Sequence, residues 1–223
     1  MRKIYILIMT VVLTLQGSTL SAQEIKDLFI EVPEQLLPIL PKTARSKMLS
    51  LYLSDPKGKS IDHTVTNPLG GSAMIHHLTS SYIRLSPDKH TELQYKLLRT
   101  DDGTTIIGMI ATSCVPPRQS VIKFYDREWK ELSTGSIIEQ FPRSEDFLKN
   151  AKDSTLLVFK NAMVERGSLD LYANFGAETP TLTMYTSTFD DEMARRLHPD
   201  LLPLLNNEGI KYTWQKGKMK RTK

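Results

Sequence analysis

Hydroxyl, imidazole and carboxylate side chains carry hydrolytic chemistry. In this 223-residue chain Ser72 is followed closely by His76 and His77. A hydrolase site would be assembled here from Ser72 as nucleophile, His76 or His77 as base and a carboxylate brought in from elsewhere. The local run Gly70-Gly71-Ser72-Ala73-Met74 lacks the second flanking glycine of the nucleophile elbow, so it reads first as a turn into a strand. Ser-x-x-Lys occurs at Ser54, Ser86 and Ser120, but the Ser-Asp-Asn and Lys-Thr-Gly companions of the serine β-lactamase group are absent.

Metal binding needs converging ligands. The five histidines are His63, His76, His77, His90 and His198, with no pair at the i, i+4 spacing of a zinc-protease helix. Adjacent His76 and His77 on a strand would point to opposite faces, so neither a metal nor a cofactor is expected. No dinucleotide fingerprint or phosphate loop is present. Asp126 and Glu128 stand at i, i+2 at a strand end, flanked by Tyr125 and Trp129. An outward aromatic beside two acids suits a peptide, glycan or protein partner, and these four residues form the candidate binding surface. Cys114 is the only cysteine, which excludes an intramolecular disulfide; continuing an apolar run, it is expected to be buried and inert.

The elements that must position these groups follow from periodicity. Ala44, Met48, Leu51 and Tyr52 fall on one face of a helix that Thr43 can cap, and Asp55-Pro56-Lys57-Gly58 ends it. From about residue 82 the period becomes two, and Asp101-Asp102-Gly103 between alternating runs predicts a hairpin with both central residues at φ > 0. A meander of about four strands follows, expected to bury one face and wet the other. Ser144 starts a short helix. Thr155 to Phe159, Ser168 to Phe175 and Thr181 to Tyr185 read as a second antiparallel group, and 190–197 reads as a two-turn helix. The fold class is α+β, antiparallel sheet with short helices, as one body or as two helix-plus-meander halves at about 23–140 and 141–215.

Met1-Arg2-Lys3 precedes an uncharged apolar run and then Ser21-Ala22-Gln23. This is the pattern of an export signal at 1–22, cut after Ala22, and its apolar run is too short to span a bilayer. Residues 23–215 would form the α+β domain. Beyond them 216–223 carries basic side chains and no apolar period, which predicts a flexible tail able to touch an anionic surface weakly. The formal charge of +4 owes two units to Arg2 and Lys3, and the last thirteen residues hold six more cations. The body is therefore mildly acidic and offers no nucleic-acid-binding face.

The run Cys114-Val115-Pro116-Pro117-Arg118-Gln119-Ser120-Val121-Ile122-Lys123-Phe124-Tyr125-Asp126-Arg127-Glu128-Trp129, behind the Ser21-Ala22-Gln23 signal end, resembles a family of exported bacterial proteins known only as a domain of unknown function. The resemblance implies a periplasmic or secreted location and carries over no catalytic residue. The element order is also similar to small secreted inhibitors of the β-lactamase-inhibitor type, by fold analogy alone. Together these readings predict an exported, non-enzymatic interaction module whose partner is an envelope protein or a cell-surface polymer. The alternative is an envelope hydrolase built around Ser72 and His76 or His77.

Overall fold

Leu93, Tyr95 and Leu97 alternate with Gln94, Lys96 and Leu98 along one strand, and all six are buried. A strand buried on both sides needs a layer on each face, and that requirement organises the molecule. The computed structural model describes residues 25–59, 61–149, 152–166, 170–190 and 192–222. The export signal expected at 1–22, with its cut after Ala22, lies outside them.

The central layer is a seven-stranded antiparallel sheet whose strands lie in chain order: β1 (Val65–Thr66), β2 (Ser72–Leu78), β3 (Tyr82–Asp88), β4 (Thr91–Arg99), β5 (Thr105–Ser113), β6 (Gln119–Tyr125) and β7 (Glu131–Leu132). One face packs on helices α1 (Ile25–Ile30) and α2 (Lys42–Ser54), through Ile25, Phe29 and Met48 against Ile83, Leu85, Leu93 and Tyr95. The opposite face packs on a four-stranded sheet in the order β11-β10-β9-β8: β8 (Leu171–Phe175), β9 (Thr181–Thr186), β10 (Ile210–Gln215) and β11 (Lys218–Arg221). Tyr82, Leu98, Ile110 and Phe124 meet Phe175, Leu182, Met184 and Tyr212 there in one core. The meander thus has no wet face where the layers cover it, contrary to the one-sided burial expected. The two strand groups form two stacked sheets.

Specific contacts join the layers. Gly108 on β5 leaves room for Phe175; a Cβ there would lie 2.6 Å from its ring tip. Ala173 and Phe175 turn their amides away from β9, and these are taken by Ser120 Oγ at 3.0 Å and Gln94 Oε1 at 2.9 Å. Lys96, buried between the layers, donates to the Ala177 carbonyl at 2.7 Å. On the helical side the buried Arg45 guanidinium donates to the carbonyls of Ile30, Val32 and Leu40, so it closes the end of α1 and the turns after it.

Several local expectations change. The Asp-Gly hairpin between β4 and β5 forms, but only Gly103 takes positive φ (83°), and Asp102 fixes the turn by accepting from the Thr104 amide. Residues Thr155 to Phe159 belong to helix α4 (Asp153–Arg166), not to a strand; Phe159 is fully buried and Leu156, one turn earlier, packs on the core beside it. The short helix at Ser144–Phe147 is a 3₁₀ turn whose start is held by Asp146 accepting from the Arg143 amide, in place of the expected Ser144 cap. Helix α2 starts after Pro41, without a Thr43 cap. α3 (Thr134–Ile137) and α5 (Glu192–Leu197) complete the helices, with a second 3₁₀ turn at Pro199–Leu204.

The flexible tail expected from residue 216 is also corrected. Lys216 and Gly217, at φ 49° and 78°, turn the chain into β11, whose Met219 is fully buried opposite Trp214. That residue also bridges to Ile138. Cys114 is exposed rather than buried, and burial of its surroundings together with Glu92 holds its thiol above the ordinary range. Among the described residues no helix is long and apolar enough to cross a membrane.

Candidate functional site

The four residues expected to form a binding surface divide between the core and a turn. Tyr125 and Trp129 are buried, their rings 5.6 Å apart, and Trp129 meets Tyr95 edge-on at 5.9 Å within the helix-covered core. They are packing residues. Asp126 accepts from the amides of Glu128 and Lys130 and so closes the β6–β7 turn, in which Trp129 takes φ 62°. The aromatic patch is therefore absent at this position: β6 is open at Gln119 and Val121, but both faces are covered at its end, where Phe124 and Tyr125 are buried.

The serine and histidines are brought together differently from the spacing-based proposal. Ser72 lies at the start of β2, about 13 Å along the strand from His76 at ~3.3 Å per residue. The partner of His76 is Ser86 on β3, Nε2 to Oγ 2.7 Å. A bulge between Ile75 and His77 carries both imidazoles to the face shared by Tyr82, Arg84 and Ser86, correcting the opposite-face expectation. His77 packs on Tyr82 and lies 3.8 Å from Glu178. Burial, then Arg84, pushes the His76 imidazole below its ordinary value. No carboxylate bonds His76 among the described residues, and no group of three His, Cys, Asp or Glu residues there could hold a metal ion.

Arg118, in the run that carried the family resemblance, lies between the layers. It donates through Nε to Asp190 at 2.8 Å and covers the Tyr172 ring at 3.7 Å, while Tyr172 stacks on Tyr185 at 4.9 Å. Gln119 donates to Asp170 at 2.6 Å, and Ser187 donates to the Arg118 carbonyl. The motif is thus a fastening between β6 and the second sheet.

The surface feature that stands out was missed in the sequence. A groove of about 320 Å³ runs between α4 and the α5–3₁₀ segment, with Val158 and Leu197 on its walls and Leu201 and Leu204 at its base. Leu157 and Val158 are 60% and 45% exposed, and Met193 and Leu197 are each 62% exposed. Met193 and Leu197 share a helix face at i, i+4, and Ser154, Leu157 and Val158 line up along α4 at i, i+3, i+4. Val158 and Leu197 line the groove, and with Leu157 and Met193 on the same two helices they make four large exposed apolar side chains, more than the isolated surface leucines that need no explanation. The signal was available in the i, i+3, i+4 spacing of 154–158, but Thr155 and Val158 are β-branched and favoured a strand reading.

Stacked antiparallel sheets with helices on one outer face and a fastened inter-sheet seam define an α+β protein. The chain belongs to the family described as Protein of unknown function (DUF3256), whose model matches residues 18–219. It is similar to a solved structure, a domain of an uncharacterized protein from Porphyromonas gingivalis W83, at 23% identity and a TM-score of 0.70, over 89% of this chain and 97% of that one. That likeness concerns the fold. No curated protein matches the chain.

Proposed function

We propose that the protein is a non-enzymatic interaction module of the bacterial cell envelope that holds an envelope protein through the groove between α4 and α5. The exposure of Val158 and Leu197 in that groove, and of Leu157 and Met193 on the two helices that flank it, carries the reading. Their burial by a partner would contribute the apolar centre that interfaces use, and the exposed Lys152, Lys160 and Arg195 on the flanking elements, outnumbering Asp200 in the groove, favour a partner whose apolar side chains are ringed by carboxylates. The charged start, apolar run and small residues of 1–22 support export. The bond of His76 to Ser86 favours this reading over the hydrolase alternative built on Ser72 and His76 or His77.

The test is a Leu157→Glu/Leu197→Glu double variant compared with the native chain in the native envelope. The expected native protein starts at Gln23, crosslinks saturably to one envelope protein through a probe beside the groove, and loses that product more than tenfold in the double variant at unchanged melting temperature. Equal crosslinking of both forms, or capture of a polysaccharide instead, discards the protein-partner reading. A cytoplasmic chain still carrying Leu15 discards the location.

A further inference from the structure

A separate cavity of about 590 Å³ opens where the turn after the second 3₁₀ segment, the end of β11 and the loop before Ser144 meet, within the size range of small-ligand sites. Gln140, Asp146, Asn206, Glu208, Lys211 and Arg221 line it, and no aromatic ring does. Its fixed point is Arg221, whose Nη2 donates to Asp146 Oδ1 at 2.7 Å while Asp146 Oδ2 accepts from the Arg143 amide at 2.7 Å. Both carboxylate oxygens are thus engaged and the guanidinium is held by one nitrogen, which leaves its remaining donors for a ligand. Burial raises the Asp146 carboxyl, but the Arg221 bond and the Arg143 amide outweigh it and hold the group below the usual carboxylate range.

The other groups supply a complementary pair of charges. Lys211 and Glu208 are exposed on the cavity wall, and the side chain of neither pairs with a described residue. Asn206 spends its Oδ1 on the Glu208 amide at 3.2 Å, so its NH₂ end is the free one. Gln140 sits at φ 61°, a left-handed conformation unusual for this residue type, and the Tyr212 hydroxyl holds it by donating to its carbonyl at 2.8 Å. Two cations and an amide donor stand with one unpaired carboxylate in a space larger than a free amino acid fills.

We propose that this cavity binds a short zwitterionic peptide, its terminal carboxylate held by Arg221 and Lys211 and its terminal ammonium by Glu208. Planar donors of an arginine suit a carboxylate in two-point contact. The site shares no residue with the α4–α5 groove, so it stands or falls independently of the partner proposed there.

Because Arg221 also holds Asp146, the test uses the exposed pair, Lys211→Gln and Glu208→Gln, in the full chain. Trialanine, its C-terminal amide, its N-acetyl form and free alanine are titrated while backbone amide resonances are followed. Trialanine is expected to saturate with shifts at Glu208, Lys211 and Thr222. Lys211→Gln and the C-terminal amide should each weaken binding at least fivefold, Glu208→Gln and the acetyl cap likewise, and alanine should bind at least tenfold more weakly. Absence of saturable shifts with trialanine overturns the proposal, as does equal binding of the capped forms. Alanine binding as tightly as trialanine overturns the peptide assignment.

Discussion

His76 shows how one residue's environment departs from its spacing. The bulge in β2 turns it toward Ser86, with Arg84 on the same strand as Ser86 and Glu92 on the next. Its folded value lies below the ordinary 6.5, first through burial and then through Arg84, with Glu92 opposing. On acidification the unfolded chain therefore takes up this proton before the native one does. The contribution to stability is complete above about pH 6.5 and is lost as pH falls through the folded value. Melting temperature should drop between pH 7.5 and 5 in the native chain and drop less in His76→Gln; parallel curves would show that the imidazole titrates freely. The sequence showed the serine–histidine proximity but not the partner, because a bulge cannot be read from alternation alone. Tyr125 and Trp129 failed as surface residues for a related reason. An aromatic near a strand end is outward only if one face is wet, and which faces are covered depends on segments far away in the chain, here the helices of Ile25, Phe29 and Met48.

The β10–β11 arm makes the corresponding point for an element. Met219 is the only apolar residue in a run of cations, too sparse to show a period, and Lys216-Gly217 is a weaker turn signal than Asn-Gly. The structure nevertheless seats Met219 fully in the inter-sheet core, bridged to Ile138, and ties Arg221 to Asp146. Removing residues 216–223 should cost about 3 kcal/mol or more, from a buried methionine with its strand pairing. Denaturant unfolding measures this, and a truncated chain of native stability would return the segment to the status of a solvated tail. Helix α4 is the opposite case: the residues were legible as structured and misread in type. Leu156 and Phe159 decide it by reaching the core from one helical face.

For the whole molecule, the α+β class, the β4–β5 hairpin and the second strand group were legible because alternation and turn chemistry are local. The stacking of one sheet on the other was not. It depends on pairs such as Gly108 with Phe175 and Arg118 with Tyr172 and Asp190, which lie 54 to 72 residues apart and leave no periodic trace. The candidate sites follow the same division. The α4–α5 groove and the Arg221 cavity are built from segments about 40 to 80 residues apart in the chain, such as Val158 with Leu197 and Gln140 with Arg221.

The outer rim of β8 carries a further consequence. A strand with no neighbour on one side is a template on which another chain can grow by backbone pairing, and many sheet proteins blunt such rims with charge or proline. Here the amides of Ala173 and Phe175 are occupied from within the same molecule, by Ser120 and Gln94 reaching up from the layer below. A side chain standing where a strand would dock makes the rim unavailable for growth. Ser120→Ala/Gln94→Leu should free both amides, so that the variant associates more strongly than the native chain with rising concentration and forms thioflavin-positive fibrils on gentle warming. If the double variant associates no more than the native chain under those conditions, shielding by the layer beneath suffices without the two hydrogen bonds.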